Sequence, residues 1–444
     1  MTPETRPATA TPSTVPSGQG WRLAFAGLTF FTLLAGDAWR DSIGWWGWGI
    51  VVAFCFVVSI VFLAHERPRI PFRKWPKTLL LFLALCVASI AWSAYTAASA
   101  LGTVAQFATT TAGLFFAICL SWHQVLRALG AALRWIIALS LLFELVVAVF
   151  VRHHVLPFFT DYGPGHHPDA FYWSRDLLFH GGKIQGVVGN SDLLGMVTLL
   201  ALIVFGIQLA ERAVNRTAGI VWLALAAATY LLTRSSTVYA ATAVTVIVLL
   251  FALWTRRVPQ SRRWPVYGVA ALVIAAGVAS VVLFWDAITT LLGKTADLTG
   301  RTTIWSAVIH LAQQRPAFGW GWVSYWVPWV EPFKGLAIRN GVEYLQAHNA
   351  YLDVWLQLGI VGLVVFVLLV LTTFGRSWFQ AVDRSPLDEH GAVRADVPYT
   401  AIALLPLLVL AAYLAQSFTE SRLLVEGGFA LLVLFSVKTK LERP

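Results

Sequence analysis

Charge is what this chain has least of. Asp, Glu, Lys and Arg make up only 12% of its 444 residues, where a soluble protein carries roughly a quarter. Set beside 58% hydrophobic residues and a mean hydropathy of +0.70, that shortfall excludes a water-soluble globular domain. Cysteine is almost as scarce. Cys55, Cys86 and Cys119 all lie inside apolar runs, so they read as small hydrophobes and point to neither a disulfide framework nor a metal site. No CxxC, HExxH or GxxxxGK[ST] occurs, which leaves no sign of zinc chemistry or ATP use. No DxD-type acidic cluster of the metal-dependent transferases is visible either, so neither cofactor nor metal is expected. The net charge of +10 is distributed by topology, and no nucleic-acid partner is expected.

What is present are apolar runs long enough to cross about 30 Å of hydrocarbon. They fall near 22–36, 44–64, 78–93, 99–121, 134–151, 187–210, 218–233, 236–254, 265–285, 350–374, 398–415 and 423–437. The expected fold is an all-α polytopic membrane protein of about twelve transmembrane helices, with 21 tryptophans and 11 tyrosines available for interfacial belts. Residues 1–20, rich in Thr, Pro and Ser, read as a disordered N-terminus. Spans one to nine occupy 21–285 and include an outward loop at 152–186. A large outward loop covers 286–347, spans ten to twelve lie within 348–437, and 438–444 form a tail. An even number of spans puts both termini on one side, and that side receives about two-thirds of the 32 lysines and arginines. By the positive-inside rule the termini are cytoplasmic and His348 faces outward.

The large loop is expected to be partly helical. Ile304, Trp305, Val308, Leu311 and Ala312 repeat at helical spacing from Arg301 to Gln314 before Pro316 stops the pattern. Such a helix either lies on the membrane surface or covers the bundle. Trp320, Trp322, Trp326 and Trp329 read as interface anchors in preference to a sugar-stacking platform.

His348-Asn349 opens the tenth span. Gly359 lies about three turns below on a regular helix and Gly362 almost one turn further, a spacing that predicts a close helix–helix seam. Arg234, Arg301 and Lys183 break the positive-inside rule. Together with His348 they would make a cationic pocket suited to a lipid-linked pyrophosphate; taken singly, each also fits an interfacial anchor. Asn349, Lys183, Asn190 and Tyr351 are the candidate substrate-binding positions. His153, His154, His166 and His167 read as loop polars. Glu144, inside the fifth span, either pairs with a neighbouring helix or has a functional role.

His348-Asn349 followed after nine residues by Gly359-x-x-Gly362 resembles the signature of the O-antigen ligase and polymerase superfamily. Gly300-Arg301-Thr302 with Trp305, and Pro316-x-x-Gly319-x-Gly321 after it, resemble that family's periplasmic loop, and Arg234-Ser235 its short arginine-bearing turn. The resemblance implies a GT-C-like glycosyltransferase of the bacterial inner membrane with its active site facing the periplasm. It implies an undecaprenyl-diphosphate-linked O-antigen donor and a lipid A–core acceptor, the polymerases and protein O-oligosaccharyltransferases being the alternatives. On this reading His348, Arg301 and Arg234 are the catalytic residues. His348 is the base, since an imidazole titrates at about 6.5 in water, the arginines stabilise the leaving diphosphate, and transfer is inverting and metal-independent. A membrane transporter is the alternative of another class; its polar residues would gather near the midplane.

Overall fold

The structure is a computed structural model. It describes residues 17–442 apart from 67–68, 161, 164, 166, 285–286, 288–300, 340–341 and 384–397. Most of the N-terminus expected to be disordered, and the first part of the large loop, lie outside the described residues.

The chain is an all-α polytopic membrane protein. Its helices are α1 (Ser17–Leu34), α2 (Gly36–Glu66), α3 (Lys77–Ala88), α4 (Thr96–Cys119), α5 (Trp122–Val146), α6 (Ser191–Ala210), α7 (Arg216–Thr233), α8 (Ser236–Arg257), α9 (Trp264–Leu283), α10 (Arg301–Gln314), α11 (Ala350–Val382), α12 (Leu405–Gln416) and α13 (Glu426–Leu441). Among the described residues eight helices are long and apolar enough to cross a membrane; α1, α3 with its 3-10 extension and α12 are shorter apolar helices. All but α10 coincide with the expected runs. The helix over 301–314 forms with the expected limits.

Position in the bundle follows composition. A helix that is apolar all round belongs inside, and α13 is buried continuously from Gly427 to Thr439, with α12 nearly as enclosed. The apolar helices α2 and α9 stand at the periphery and leave most of their side chains open. Polar contacts gather the connections at two ends. At one, Arg256 donates to the carbonyls of Ala381 and Thr400, Arg22 pairs with Glu66 at 2.7 Å, and Lys440 reaches the Trp75 carbonyl. At the other, Phe158 N–H donates to Asp41, Arg40 pairs with Glu426, and Ala350 N–H donates to Ser417. Alternate connections share an end, as a chain of successive crossings requires.

Gly359 and Gly362 do not mark a helix–helix seam. At Gly359 (φ 66°, ψ −170°) α11 breaks its helical path, so a straight three-turn register below His348 does not exist. What enters the break is loop backbone. Trp320 N–H donates to Leu356 O at 3.0 Å, Gly321 N–H to Gln357 O at 2.9 Å, and Ile360 N–H to Pro316 O at 2.8 Å. A Cβ on Gly359 would stand 2.2 Å from the Ala317 carbonyl carbon, and one on Gly319 2.5 Å from that of Gln357. Glycine is needed there for left-handed dihedrals and close approach together. Gly362 faces Leu358 of its own helix, a consequence of the same break.

The 301–347 segment packs on the first half of α11. Ile304, Val308, Leu311 and Ala312 of α10 form a second core with Val323, Trp326, Phe333 and Leu356. Trp326, in this second core, and Trp322, in the main core of the bundle, are therefore core residues, which corrects their reading as interface anchors; Trp329 is 79% exposed. A two-stranded sheet, β1 (Ile338–Arg339) with β2 (Val342–Glu343), closes the segment.

Candidate active site

The site is built where the head of α11 meets the tail of α12. Asn349 caps α11, its side-chain oxygen accepting from Tyr351 N–H (3.0 Å) and Leu352 N–H (3.1 Å). Its amide nitrogen donates to Phe418 O at 3.4 Å. Ala350 N–H reaches Ser417 O at 2.9 Å, and the turn after α12 is closed by Thr419 and Glu420 N–H groups, each donating to Gln416 O at 2.8 Å. These bonds lay residues 346–350 beside residues 417–421.

His348 and Glu420 meet as a result. His348 sits in the left-handed region (φ 50°), a conformation that costs roughly 1–2 kcal/mol in a non-glycine residue. Its Nδ1 lies 3.0 Å from Glu420 Oε2. The other carboxylate oxygen accepts from Arg301 Nη2 at 2.8 Å, and Gln346 Nε2 donates to Oε2 at 3.2 Å. Arg301 and Glu420 keep 9% and 7% of their side chains exposed, and His348 15%. Burial pushes the Glu420 carboxyl up, but the charges of His348, Arg301 and Arg422 outweigh it and hold the group at about 2. Glu420 is therefore an anion under all ordinary conditions. A carboxylate only accepts, so Nδ1 carries the hydrogen and Nε2 is the imidazole nitrogen left to take a proton. The second terminal nitrogen of Arg301, Nη1, is buried without a hydrogen-bond partner among the described residues.

Asp353 fixes this corner from within. It is 1% exposed, and its Oδ2 accepts from Ala347 N–H at 3.0 Å and from the Ser421 hydroxyl. One carboxylate thus ties the residue before His348 to the residue after Glu420. Trp305 adds a bond from its indole N–H to Ala347 O at 3.0 Å, and the Tyr344 ring stands edge-on to the imidazole at 5.2 Å.

The remaining predicted residues separate into two groups. Tyr351 packs beside Phe418 and Phe366. Asn190 caps α6 through Asp192 and Leu193 N–H, as Asn349 caps α11, so both asparagines have their side-chain oxygens engaged by backbone. Arg234 ends α7 in a left-handed conformation (φ 46°) and is exposed. Ser235 beside it binds Asp192. Arg234 and the exposed Lys183 lie at the same end of the bundle as His348, but no hydrogen bond or ion pair among the described residues joins them to its cluster. The single four-residue cationic pocket expected from the sequence is therefore two arrangements. His348 and Arg301 are in one; in the other, Lys183 lies within the 177–190 turn and Arg234 beside it, where Ile184 N–H donates to Leu232 O.

Residues 219–367 match the O-antigen ligase family. The O-antigen ligase region, about a third of the chain, takes in Arg234, Arg301, His348, Gly359 and Gly362 and supports a function of the ligase and polymerase type in broad terms. No curated protein matches the chain. Glu420 lies outside the O-antigen ligase region and was missed from the sequence, as were Asp353 and Gln346. An acid sealed between two apolar helices, with Arg422 two residues on, is the one trace by which Glu420 could have been found. Among the described residues no group of three or more His, Cys, Asp or Glu side chains is placed to hold a metal ion.

A second ionic network lies close by. Arg40 binds Glu426 at 2.8 Å and Asp37 at 2.9 Å, and Arg422 binds Glu426 at 3.2 Å and the Tyr325 hydroxyl at 2.7 Å.

Proposed function

We propose that the protein is a periplasm-facing O-antigen ligase of the bacterial inner membrane, with both termini cytoplasmic. It moves a glycan from undecaprenyl diphosphate to a hydroxyl of the lipid A–core oligosaccharide. The observation that carries this reading is the Glu420–His348 contact with a spare Arg301 nitrogen beside it: an oriented base next to an unspent cationic donor. The acceptor O–H gives its proton to His348 Nε2 while its oxygen attacks the anomeric carbon. The bond from that carbon to the diphosphate oxygen breaks, and its electron pair leaves with the diphosphate. One displacement inverts the anomeric centre. Arg301 meets charge developing on the leaving oxygens, and Arg234, exposed and unpaired among the described residues, holds the diphosphate with Lys183 near it. Fixed guanidinium groups supply the positive charge, so transfer is metal-independent.

In vitro transfer tests this. Purified protein, undecaprenyl-diphosphate glycan, rough lipopolysaccharide and EDTA should yield glycan-bearing lipid A–core of inverted anomeric configuration. Glycan lengthening on the polyprenyl carrier would make the protein a polymerase. Activity abolished by EDTA and restored by a divalent cation would refute the metal-independent mechanism.

A further inference from the structure

The loop between α5 and α6 is more heavily built than a connection needs. Its two limbs are zipped where Val155 N–H donates to Ser174 O at 2.8 Å and Trp173 N–H to Val155 O at 2.7 Å. Glu144, 1% exposed in α5, clamps it from below. Its carboxylate accepts from the Ser174 hydroxyl (2.9 Å), Gln185 N–H (2.9 Å) and Gly186 N–H (2.7 Å). Those three partners explain an acid placed inside an apolar helix, for which the sequence offered none. Gln185 then holds Arg175 Nε through its side-chain oxygen at 3.1 Å.

Between the limbs is a basin of about 570 Å³, open to solvent, whose wall includes Arg152, His153, Arg175, Asp176 and His180. That is within the roughly 300–1,000 Å³ of small-molecule sites. Several of these side chains are anchored by one end only. Arg152 Nε donates to Val149 O at 2.9 Å. His153 Nδ1 lies 2.8 Å from His154 O, and His180 Nδ1 2.8 Å from Asp176 O. Because a carbonyl only accepts, each Nδ1 carries the hydrogen and each Nε2 is free to accept one from a ligand. Asp176 Oδ1 is buried without a hydrogen-bond partner among the described residues, an acceptor whose desolvation calls for a donor. Arg175 is offset by Asp169 at 3.0 Å, so the wall mixes donors and acceptors and carries little surplus charge. Such a surface suits a polyhydroxyl ligand better than a bare anion. The basin also has a direction, since a Cβ on Gly181, next to His180, would stand 3.9 Å from Arg234 Nη2.

We propose that this basin binds the glycan of the lipid-linked donor, its sugars running from the diphosphate at Arg234 past Gly181 and between the limbs of the 152–186 loop. The orientation rests on the reading of Arg234 given above; the recognition of sugar hydroxyls rests on the basin alone. The site sets how much glycan the enzyme grips and leaves the chemistry at His348 untouched.

Two readouts on the full-length protein test it. The first is saturation-transfer NMR with the oligosaccharide released from its polyprenyl carrier. Wild type and the His348→Ala variant should both show binding, and Arg152→Gln/Asp176→Asn should lose it; Arg152→Gln alone, at an exposed position, should weaken it severalfold. The second is transfer from donors of two lengths. The double variant should raise KM about tenfold for a long glycan, leave kcat unchanged, and leave a single-sugar donor unaffected. Undiminished oligosaccharide binding by the double variant, or an equal loss with both donors, would overturn the proposal. A wild type that transfers nothing yet binds the oligosaccharide through these residues would sink the ligase reading and keep the basin.

Discussion

Two ionic clusters share the His348 end of the bundle, and they spend their charges differently. In the Arg40–Arg422 network, two guanidinium groups answer two carboxylates, Asp37 and Glu426, and pull together α2, α13 and the turn between α12 and α13. In the His348 cluster one carboxylate serves an imidazole, a guanidinium and an amide; among the described residues Arg301 Nη1 is left without a partner here, as Arg422 Nε is in the other network. The balanced set is a fastener. On the proposed function, the other set keeps a proton acceptor, His348 Nε2, for a substrate. What tells them apart is the imidazole of His348, whose Nε2 can take a proton, a group the Arg40–Arg422 network lacks.

That contrast can be broken by substitution. The largest effect belongs to His348→Ala, which should lower the transfer rate by about 10²–10⁴-fold, the worth of a positioned base, while the thermal midpoint stays near that of wild type because the Arg301–Glu420 pair survives. A comparable loss of stability would show that His348 is a fastener too. Arg301→Lys keeps the charge but cannot hold Glu420 with one nitrogen and offer another in a planar fork. A drop of about 10²-fold in kcat/KM is expected, as for loss of one transition-state donor. Glu426→Gln should do the converse, costing about 2 kcal/mol in denaturant unfolding while leaving transfer per folded molecule unchanged. That is less than the roughly 3–5 of a fully buried pair, since Glu426 keeps 19% of its side chain exposed. The smallest effect at neutral pH is that of titrating Glu420. Its carboxyl is held down at about 2 against an ordinary 4.5, so its stabilisation is complete above 4.5 and is lost as pH falls towards 2. Thermal midpoints of wild type should fall across that window more than those of Glu420→Gln, which has nothing there to protonate.

How much of this was legible in the sequence depended on whether the cause was local. The helix from Arg301 was readable because its apolar period and the stop at Pro316 are local facts. Charge scarcity and long apolar runs together placed the chain in a membrane, and His348 was legible as a polar head on an apolar helix. The role of Gly359 was not, because glycines at helical spacing look the same whether a helix or a loop approaches them. Only the strands of backbone at 316–321 distinguish the two. Asn190 and Asn349 read as substrate-binding positions, yet an asparagine just ahead of an apolar run is also a helix-cap pattern, and both side-chain oxygens cap their helices. Glu420 was out of reach for a different reason. It joins His348 only through the side-by-side packing of α11 and α12, a long-range event that an acid between two apolar runs does not by itself specify. Glu144 likewise acquired a meaning only when a loop more than forty residues away by backbone position closed onto it.

The central claim is that His348 and Glu420 act as one unit, the acid orienting the base. A double-mutant cycle on single-turnover transfer, with His348→Ala, Glu420→Gln and the two combined, tests it most directly. Residues that work as a unit are strongly non-additive. Glu420→Gln should slow transfer by itself but slow it no further once His348 is alanine. If the two losses multiply, Glu420 acts independently of the histidine, and the base-and-orienter account of this site is wrong.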